Sequence, residues 1–284
     1  MEKEATHTAV FSMKSWLFTP GTEESRFARA AQAGADALII DLEDAVPTER
    51  KPEARQAAIA YLAQGQSQSI ASALRINAVN TWEGIEDIRA LLVSDARPDF
   101  LVLPKCSSAA TVALVHELLS EAGKPTQIIA LIESAKGLAA IEDMASQTPR
   151  PAAFLFGAAD MAADIGGKPE WEPLLFARSR VVQAAAVGAI AALDSPYFDL
   201  SDQEGLRRES SGAASLGFHG KCAIHPKQLA TINEIFSPSE QEIAWARRVI
   251  DATQQGAAVV DGKMVDQAMA RRAKLVLARS PCST

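Results

Sequence analysis

Two carboxylates follow neighbouring apolar runs of the chain, and together they could hold a divalent cation. Glu133 comes directly after the run at 128–132, and Asp160 follows the run at 153–156. Carboxylates at the ends of adjacent parallel strands can reach one point, and Mg²⁺ is commonly held by one or two carboxylates with water and substrate oxygens. We therefore predict a Mg²⁺ site on Glu133 and Asp160. The alternative is structural, with Glu133 capping the next helix and Asp160 capping the turn before Asp164.

An arginine inside an apolar run predicts an anion-binding group. Arg75 stands in the tetrapeptide Leu-Arg-Ile-Asn at residues 74–77, and burying its charge without a partner would be costly. One possibility is a bidentate grip on a substrate carboxylate. The other is an ion pair with the acidic turn formed by Asp41, Glu43 and Asp44, and both can hold at once.

The acidic turn carries three like charges, which repel one another unless they are compensated. Water, a metal ion, Arg75 or Lys105 could supply the compensation. We expect Glu43 and Asp44 to support the site by orienting metal-bound waters and Arg75, rather than to bind the metal directly. Lys105 is expected to add positive potential where substrate binds; the alternative is a solvated loop lysine.

The first loop could hold a phosphate-bearing ligand. Pro20 and Gly21 lead into a helix N-terminus, whose free N–H groups attract anions, and Arg26 and Arg29 follow. The sequence contains neither a P-loop nor a dinucleotide-binding glycine motif, so a nucleotide-hydrolysing or nicotinamide enzyme is not supported. His225 could be an acid–base group, although a structural hydrogen bond at the following helix start is the favoured interpretation.

Eight short apolar runs alternate with helical patterns, and this alternation predicts the fold. Each run is too short for a helix, as expected of strands buried on both faces of a parallel sheet. We therefore predict an α/β protein with a (β/α)8 TIM barrel over residues 1–236 and catalytic groups at the C-terminal strand ends. Two helices around a turn-rich stretch at 256–262 form a C-terminal extension, or lid, over residues 237–284, which covers its own or a neighbouring subunit. The predicted strands are 16–18, 37–40, 74–76, 100–103, 128–132, 153–156, 189–193 and 221–224. The predicted barrel helices are 22–34, 48–63, 81–93, 107–122, 135–145, 171–187, 202–216 and 226–236. In the extension, one helix is predicted to begin at a serine cap within 237–239, and the other to run from about 265 to 279.

Composition narrows the class of protein. A net charge of −7 and a pI near 5.2 argue against a nucleic-acid binder, which would normally have a basic face. Neither a signal peptide nor a membrane span is visible. Three scattered cysteines argue against a disulfide framework and a zinc site. We expect a cytoplasmic enzyme that binds neither nucleic acid nor membrane, with residues 1–12 as a loose arm.

The motifs at the strand ends together resemble those of the citrate lyase β-subunit-like branch of the HpcH/HpaI aldolase superfamily, close to malyl- and citramalyl-coenzyme A lyases. The resemblance covers nearly the whole chain, and the motifs are specific in combination. They are Ser-Trp-Leu-Phe-Thr-Pro-Gly at 15–21, Asp-Leu-Glu-Asp-Ala-Val at 41–46, Leu-Arg-Ile-Asn at 74–77, Leu-Pro-Lys at 103–105, Ile-Glu-Ser-Ala-Lys-Gly at 132–137, Phe-Gly-Ala-Ala-Asp at 156–160 and Ile-His-Pro at 224–226.

The resemblance implies a carbon–carbon lyase. Its substrate would be a 3-hydroxy-acyl thioester of the citramalyl-, malyl- or citryl-coenzyme A type, cleaved into an acetyl-thioester and a 2-keto acid. The resemblance also implies Mg²⁺ on Glu133 and Asp160, Arg75 bound to the keto-acid part, and a homotrimer or hexamer. The thioester would be carried on coenzyme A or on an acyl carrier protein.

A lid segment is also implied by the resemblance. Asp-Gly-Lys-Met-Val-Asp at 261–266 is similar to the lid of malyl- and citramalyl-coenzyme A lyases, so Asp266 would be the acid–base group and could reach a neighbouring subunit's site. Two positions depart from the pattern: a proline usual in the lid is Ala268 here, and Lys14 stands where many relatives have arginine.

Two other functions are kept as alternatives. The first is a class II-type aldolase that acts on free hydroxy-keto acids. The second is a citrate lyase β subunit that is active only with carrier-protein partners. Asp266 favours a stand-alone coenzyme A ester lyase over a subunit of a citrate lyase complex, and intact Glu133, Asp160 and Arg75 argue against a dead site.

Overall fold

Eight parallel strands close into a barrel, in which each strand pairs with the next along the chain and the last pairs with the first. The computed structural model describes residues 10–64, 70–147 and 151–279. The predicted α/β class and (β/α)8 barrel are confirmed, and each predicted strand is present. The strands are β1 (Ser15–Pro20), β2 (Ala37–Asp41), β3 (Ala71–Arg75), β4 (Phe100–Leu103), β5 (Gln127–Ile132), β6 (Ala153–Phe156), β7 (Ala191–Asp194) and β8 (Gly220–Ala223).

Successive side chains of each strand point alternately into the barrel and out towards the helices. In β2, Ile39 packs in the inner core, whereas Leu38 and Ile40 pack in the outer layer. The inner core also holds Trp16 and Phe100, whose rings meet edge to face with centroids 5.2 Å apart. The interior is therefore filled by apolar side chains, and room for a ligand is left at the open mouth.

Helices connect the strands and cover the outside of the barrel. Thr81, Ser108 and Asp202 each cap a helix by accepting a hydrogen bond from the backbone N–H three residues later, which lowers the cost of starting the helix. Short 3₁₀ turns precede two of the helices. The barrel helices are α1 (Glu24–Ala31), α2 (Lys51–Ala63), α3 (Trp82–Val93), α4 (Ala109–Glu121), α5 (Ala135–Ala139), α6 (Ile141–Ser146), α7 (Ala158–Ile165), α8 (Trp171–Gly188), α9 (Gln203–Leu216) and α10 (Leu229–Phe236).

Three helical segments differ from the predicted pattern. The helix expected at 135–145 is interrupted at Ala140, which separates α5 from α6. The first helix begins at Glu24 rather than at Thr22, and Glu23 takes the cap position without a side-chain hydrogen bond. Helix α7 was not expected at all, since its eight residues follow a glycine directly after β6 and are too few for a clear periodic pattern.

The C-terminal extension contains a β-hairpin as well as helices. The stretch predicted to be turn-rich forms β9 (Ala258–Val260) and β10 (Lys263–Val265). The two residues that join them, Asp261 and Gly262, have φ values of 51° and 74°. Two successive positive φ angles are typical of a tight hairpin turn, for which Asp-Gly is a favoured pair. The prediction of a purely helical extension is therefore wrong over this stretch.

Two helices flank the hairpin. Helix α11 (Glu240–Ala252) begins at the predicted serine cap, where Ser239 and Glu242 form a reciprocal capping box. Helix α12 (Gln267–Ala278) starts later than expected, because Val265 still belongs to β10. The helices and the hairpin share a small apolar core of their own. The division of the chain at residue 236 stays our proposal, and this separate core supports it.

The segment before β1 packs against the barrel. Val10 is fully buried in the inner core, and the Phe11 ring meets the His219 ring edge to face. The prediction of a loose arm is therefore wrong for these two residues, and residues 1–9 of the predicted arm lie outside the described residues. Of the helices in the described part of the chain, none is both long and apolar enough to cross a bilayer.

Candidate active site

Three charged side chains point inward at the mouth of the barrel because of the strand alternation. Asp41 ends β2 and Arg75 ends β3, and the two are direct partners in the strand register. Each stands two residues after an apolar residue that faces the barrel interior. The same is true of Glu133, which directly follows β5 and stands two residues after the inward-facing Leu131. Parity along the strands therefore brings these three side chains to the same end of the barrel interior.

Arg75 is held by the acidic turn. Its Nε and Nη2 donate to the two carboxylate oxygens of Asp41, each at 2.6 Å. Its Nη1 lies 2.9 Å from Glu43 Oε2 and 3.6 Å from Asp44 Oδ2, and the guanidinium carbon lies 4.9 Å from the centroid of the Phe18 ring. The predicted ion pair with the acidic turn is thus present, and it fixes the orientation of Arg75 before any ligand arrives.

Glu133, Lys105 and Asp160 form a second group at the mouth. The backbone N–H of Lys105 donates to Glu133 Oε1 at 2.6 Å. Its Nζ lies 2.9 Å from Asp160 Oδ1 and 3.6 Å from Glu133 Oε1. Neither carboxylate caps a helix: Ser134 caps α5, and Asp160 lies inside the first turn of α7. The structural alternative for this pair is therefore wrong.

Only glycine fits at position 157, because Glu133 packs against it. A Cβ added to Gly157 would lie 2.5 Å from Glu133 Cβ and 2.9 Å from Glu133 Oε2. A second close approach occurs at Gly21, whose N–H donates to the carbonyl of Asp41 and where a Cβ would lie 2.9 Å from that oxygen. Because glycine has no Cβ, the backbone at Gly157 can approach the Glu133 side chain, and the backbone at Gly21 can approach the carbonyl of Asp41. These two close approaches lie at opposite sides of the mouth.

The mouth carries more negative than positive charge. Five carboxylates, Asp41, Glu43, Asp44, Glu133 and Asp160, contact two cations, Arg75 and Lys105. Burial raises the pKa of Glu133 to about 8, with a further rise from Glu43. Burial also raises the pKa of Glu43 to about 7, against the lowering effect of Arg75. The site would therefore be stabilised by an additional cation.

The donor set fits a hard divalent cation. Glu43 Oε2 is buried and its contact with Arg75 is not aligned as a hydrogen bond, so this oxygen keeps an unused lone pair. Among the described residues, no group of three or more His, Cys, Asp and Glu side chains is arranged to enclose a metal ion. Two carboxylates, Glu133 and Asp160, with open positions for water and ligand oxygens are the arrangement that Mg²⁺ accepts.

A cavity of about 380 Å³ lies over these groups. Asp41, Asp44, Arg75, Glu133 and Asp160 line its polar part, and Pro20 lies at its edge. This volume is at the small end of the range for small-molecule sites, and it combines a few polar groups with an apolar wall. The wall is formed by Phe18, Leu155, Phe156, Pro196, Phe198 and Ile224.

Several residues predicted for the site lie elsewhere. Arg26 is exposed and its Nε lies 3.3 Å from Glu23 Oε2, outside the residues that line the cavity. His225 accepts a hydrogen bond from the backbone N–H of Lys227, so the favoured structural interpretation applies. Asp266 is exposed and accepts hydrogen bonds from the N–H groups of Ala268 and Met269 as the cap of α12. It does not reach the cavity of its own chain.

A support network missed in the sequence holds the acidic turn from behind. Lys51 Nζ donates to the carbonyls of Leu42 and Glu43 at 3.1 and 3.0 Å, and also to Asn77 Oδ1. Asn77 Nδ2 donates to the carbonyl of Leu42 at 3.0 Å and to the buried Asp87. Asn77 stood in the quoted motif at 74–77, but the sequence carries no signal that joins Lys51 to it.

One charged strand end points away from the mouth. Asp194 ends β7, but it follows the inward-facing Leu193 and so projects into the layer between strands and helices. There it accepts from Arg178 Nε at 2.9 Å and from Lys221 Nζ at 2.6 Å, with Glu209 also bound to Lys221. Although burial opposes ionisation, Lys221 and Arg178 hold the pKa of Asp194 below its usual value. This network is a structural feature of the barrel wall.

Comparison with known proteins identifies the family. Residues 14–226 match the HpcH/HpaI aldolase/citrate lyase family, and residues 172–282 match the carbon–carbon bond lyases of the TIM-barrel fold. The chain belongs to the HpcH/HpaI aldolase/citrate lyase family. The suspected resemblance is confirmed, and so is the prediction that the chain is an enzyme of the carbon–carbon lyase class. The family match contains every strand and charged group of the barrel mouth.

Individual relatives align over nearly the whole chain. The L-malyl-CoA/β-methylmalyl-CoA lyase of Rhodobacter capsulatus is 34% identical, with 92% of each chain covered. Protein CitE of Mycobacterium tuberculosis, solved in complex with magnesium, acetoacetate and coenzyme A, is 34% identical with a TM-score of 0.80, covering 94% of this chain and 98% of its own. RipC of Yersinia pestis is 47% identical with a TM-score of 0.73, covering 82% of this chain and 99% of its own.

Proposed function

We propose that this enzyme is a Mg²⁺-dependent lyase that cleaves a 3-hydroxy-acyl thioester of coenzyme A into an acyl thioester and a 2-keto acid. Citramalyl- and malyl-coenzyme A are the expected substrates. The observation that carries the proposal is the convergence of Glu133, Asp160 and Arg75 at one open barrel mouth. The 34% identity to a malyl-CoA lyase over 92% of the chain supports the substrate class.

Glu133 and Asp160 are the proposed ligands of Mg²⁺. When bound, the ion would act as a Lewis acid that lowers the pKa of the substrate hydroxyl and stabilises the negative charge that develops on oxygen. Two protein carboxylates leave positions for a substrate that presents a hydroxyl and a neighbouring carboxylate. Gly157 keeps Glu133 in place, because a larger residue would push this side chain out of the cavity.

Arg75 is the proposed anchor of the keto-acid end of the substrate. Asp41 occupies its Nε and Nη2, so the guanidinium is already oriented and loses little freedom when a ligand binds. Its positive charge would also stabilise oxygen charge that develops during cleavage. Glu43 and Asp44 would keep the third nitrogen of the guanidinium in place and hold water beside the metal.

The coenzyme A arm is assigned to the β1 side of the mouth. Pro20 lies at the cavity edge, and Gly21 holds the loop against β2. Arg26 follows on the exposed face of α1, and its ion pair with Glu23 joins two well-exposed side chains. Such pairs contribute little to stability, so Arg26 is free to exchange Glu23 for a phosphate of the ligand. Lys105 would add to the positive potential that attracts the anionic substrate.

Cleavage requires that one proton leave the substrate hydroxyl and that one be delivered to carbon. The bond between the hydroxyl-bearing carbon and the α-carbon of the thioester breaks, its electron pair forms the thioester enolate, and the hydroxyl proton leaves to a base. The enolate must then take up a proton at carbon to give the acyl thioester. We assign this proton transfer to Asp266, which would come from a neighbouring copy of the chain.

The position of the extension supports an assignment across subunits. Arg272 and Val276 of α12, and Arg279 directly after it, line a cavity at the opposite end of the barrel together with His219. Within the described part of the extension, 237–279, no residue is among those that line the active-site cavity of the same chain. The lid is therefore available to cover the mouth of another copy, as in the proposed trimer or hexamer.

The hairpin carries a further sign of a neighbouring chain. Val259 and Met264 are cross-strand partners on its outer face and are 71% and 74% exposed. An exposed apolar pair next to the proposed acid–base residue is typical of a surface that another chain covers. Phe198, at the mouth of the cavity, is also 52% exposed, and it would lie beneath such a lid.

A panel of thioesters tests the proposal. The purified chain with Mg²⁺ should release a 2-keto acid from (S)-citramalyl- or malyl-coenzyme A, measured by a coupled keto-acid assay. Chelation by EDTA should stop the reaction, and Mg²⁺ should restore it. The Glu133→Gln variant is the matched control, because it keeps the shape of the site but removes a metal ligand. Absence of cleavage with every ester in the presence of metal would refute the proposal.

Complementation between two inactive variants tests the role of Asp266. Asp266→Asn keeps an oxygen that can cap α12, so the variant should fold and bind Mg²⁺ while turnover is lost. Mixing Asp266→Asn with Glu133→Gln chains under conditions that allow subunit exchange should restore part of the activity, because some sites then combine intact residues from two chains. Activity in Asp266→Asn alone would show that the proton comes from another group.

The two alternative functions give different results in the same assays. A free-acid aldolase would release keto acid from hydroxy-keto acids without coenzyme A. A carrier-dependent citrate lyase β subunit would be inactive alone, would act after addition of an acyl carrier protein, and would co-purify with its partners. The cytoplasmic location stays a prediction, and fractionation of cells that express the chain would test it.

A further inference from the structure

The ammonium of Lys105 lies where three carboxylates converge, each of which follows a different strand. Its Nζ is 2.9 Å from Asp160 Oδ1 and 3.6 Å from both Glu133 Oε1 and Glu43 Oε1. Two of these carboxylates are the proposed ligands of Mg²⁺. A cation contributed by the chain itself therefore contacts the same oxygens that the metal would use.

The backbone at this position is built to deliver that contact. Lys105 has a φ of 52°, in the left-handed region that side chains other than glycine rarely adopt. In this conformation its N–H points at Glu133 Oε1, at 2.6 Å, while its side chain crosses towards Asp160. Strain of this kind persists where the surroundings hold it, and it occurs preferentially at functional sites.

The side chain is also placed where it can leave. It is 39% exposed, whereas those of Glu133 and Glu43 are 2% and 8% exposed. These two carboxylates are thus fixed in the wall of the mouth, whereas the ammonium and Asp160, which is 44% exposed, lie at the boundary with water. Moving it into water breaks ion pairs without opening the core.

We infer that Lys105 is an exchangeable counter-ion of the metal site, which holds Glu43, Glu133 and Asp160 together in the metal-free protein and moves aside when Mg²⁺ binds. This inference rests on the proposed Mg²⁺ site. A dication and an ammonium that contact the same carboxylate oxygens repel each other strongly, so the two cannot occupy the site together. Lys105 therefore weakens Mg²⁺ binding and stabilises the protein without metal.

Isothermal titration of Mg²⁺ into the metal-free full-length chain tests this competition. Lys105→Met keeps an unbranched side chain at the left-handed position but removes the charge that repels the dication, and it should bind Mg²⁺ about tenfold more tightly than wild type. In EDTA its melting temperature should fall, and added Mg²⁺ should raise it by more than in wild type. Lys227→Met is the matched control, since Lys227 is an exposed lysine at the same end of the barrel. The Mg²⁺ affinity and the melting temperature of this variant should be unchanged.

The outcomes separate this inference from the proposed function. If wild type binds Mg²⁺ and Lys105→Met binds it equally or more weakly, the counter-ion role is refuted while the metal site stands. If wild type and Glu133→Gln bind Mg²⁺ alike, or neither binds it, the proposed metal site itself fails. Should Lys105→Met not fold in EDTA, refolding in Mg²⁺ supports the inference, because the ion replaces the ammonium. Failure of both Lys105→Met and Lys105→Gln to fold in Mg²⁺ refutes it.

Discussion

Replacing Gly157 by alanine should disable the site while leaving the barrel intact. The added methyl group would lie 2.5 Å from Glu133 Cβ and 2.9 Å from Glu133 Oε2. Ordinary contact between two such carbons requires about 1 Å more, so either Glu133 or the start of α7 must move by that amount. A displacement of about 1 Å can cost on the order of 100-fold in rate. The overpacking itself should cost roughly 1–3 kcal/mol of folding stability.

Three measurements separate these effects in Gly157→Ala. Calorimetric titration should give Mg²⁺ affinity reduced by about 10- to 100-fold, the keto-acid assay should give kcat reduced by about 100-fold, and circular dichroism should still show the fold. Gly167→Ala is the matched control just beyond the other end of α7, because its Cβ would meet Ile165 at 3.5 Å and the carbonyl oxygen of Ala162 at 3.9 Å, which are ordinary contact distances. Wild-type Mg²⁺ affinity and kcat in Gly157→Ala would refute the reasoning that Glu133 depends on this close approach.

Three further predictions concern groups behind and beneath the site. Lys51→Met should lower kcat by about 10- to 100-fold with a smaller change in KM, because the carbonyls of the acidic turn lose their ammonium partner. Lys51→Arg should recover part of the loss in kcat. Unchanged kcat in the methionine variant would contradict a positioning role for Lys51. Asp41→Asn should cost about 3 kcal/mol of stability, since it leaves a buried arginine without its bidentate partner; urea unfolding that matches wild type would count against this. Burial, with Arg279 nearby, lowers the pKa of His219 to about 4. As the pH falls, the unfolded state therefore binds a proton at this histidine before the folded state does. The free energy of unfolding should fall by up to about 3 kcal/mol as the pH drops from 6.5 to 4. His219→Asn should lose less stability than wild type over the same pH range, and equal losses would exclude this assignment.

Alternation along the strands accounts for three of the charges that share the mouth. Arg75 and Glu133 each stand two residues after an inward-facing apolar residue, and the same spacing applies to Asp41. Asp194 also ends a strand, but it is out of step by one residue and projects into the barrel wall. A residue at a strand end is therefore a stronger candidate for the active site if it stands an even number of residues after an inward-facing residue. This spacing can be counted from the sequence.

The extension illustrates a local signal that was present but weak. Asp261-Gly262 lies between short apolar segments, which is the composition of a tight hairpin turn. The strands on either side have only three residues each, too few for a periodic pattern to emerge. Helix α7 was missed for a similar reason, since eight residues rich in alanine after a glycine give no clear amphipathic stripe.

The sequence by itself determined the barrel, its eight strands, the family and the identity of the charged groups at the mouth. These follow from local patterns, because the period of apolar residues selects strand or helix and short motifs select the family. Tertiary structure alone decided the distances: the bidentate grip of Asp41 on Arg75, the approach of Gly157 to Glu133, the reach of Lys51 to the acidic turn, and the convergence of three carboxylates on Lys105. The physical reason is that such contacts depend on how the barrel closes and on how its strands are staggered, which no single segment of the chain specifies.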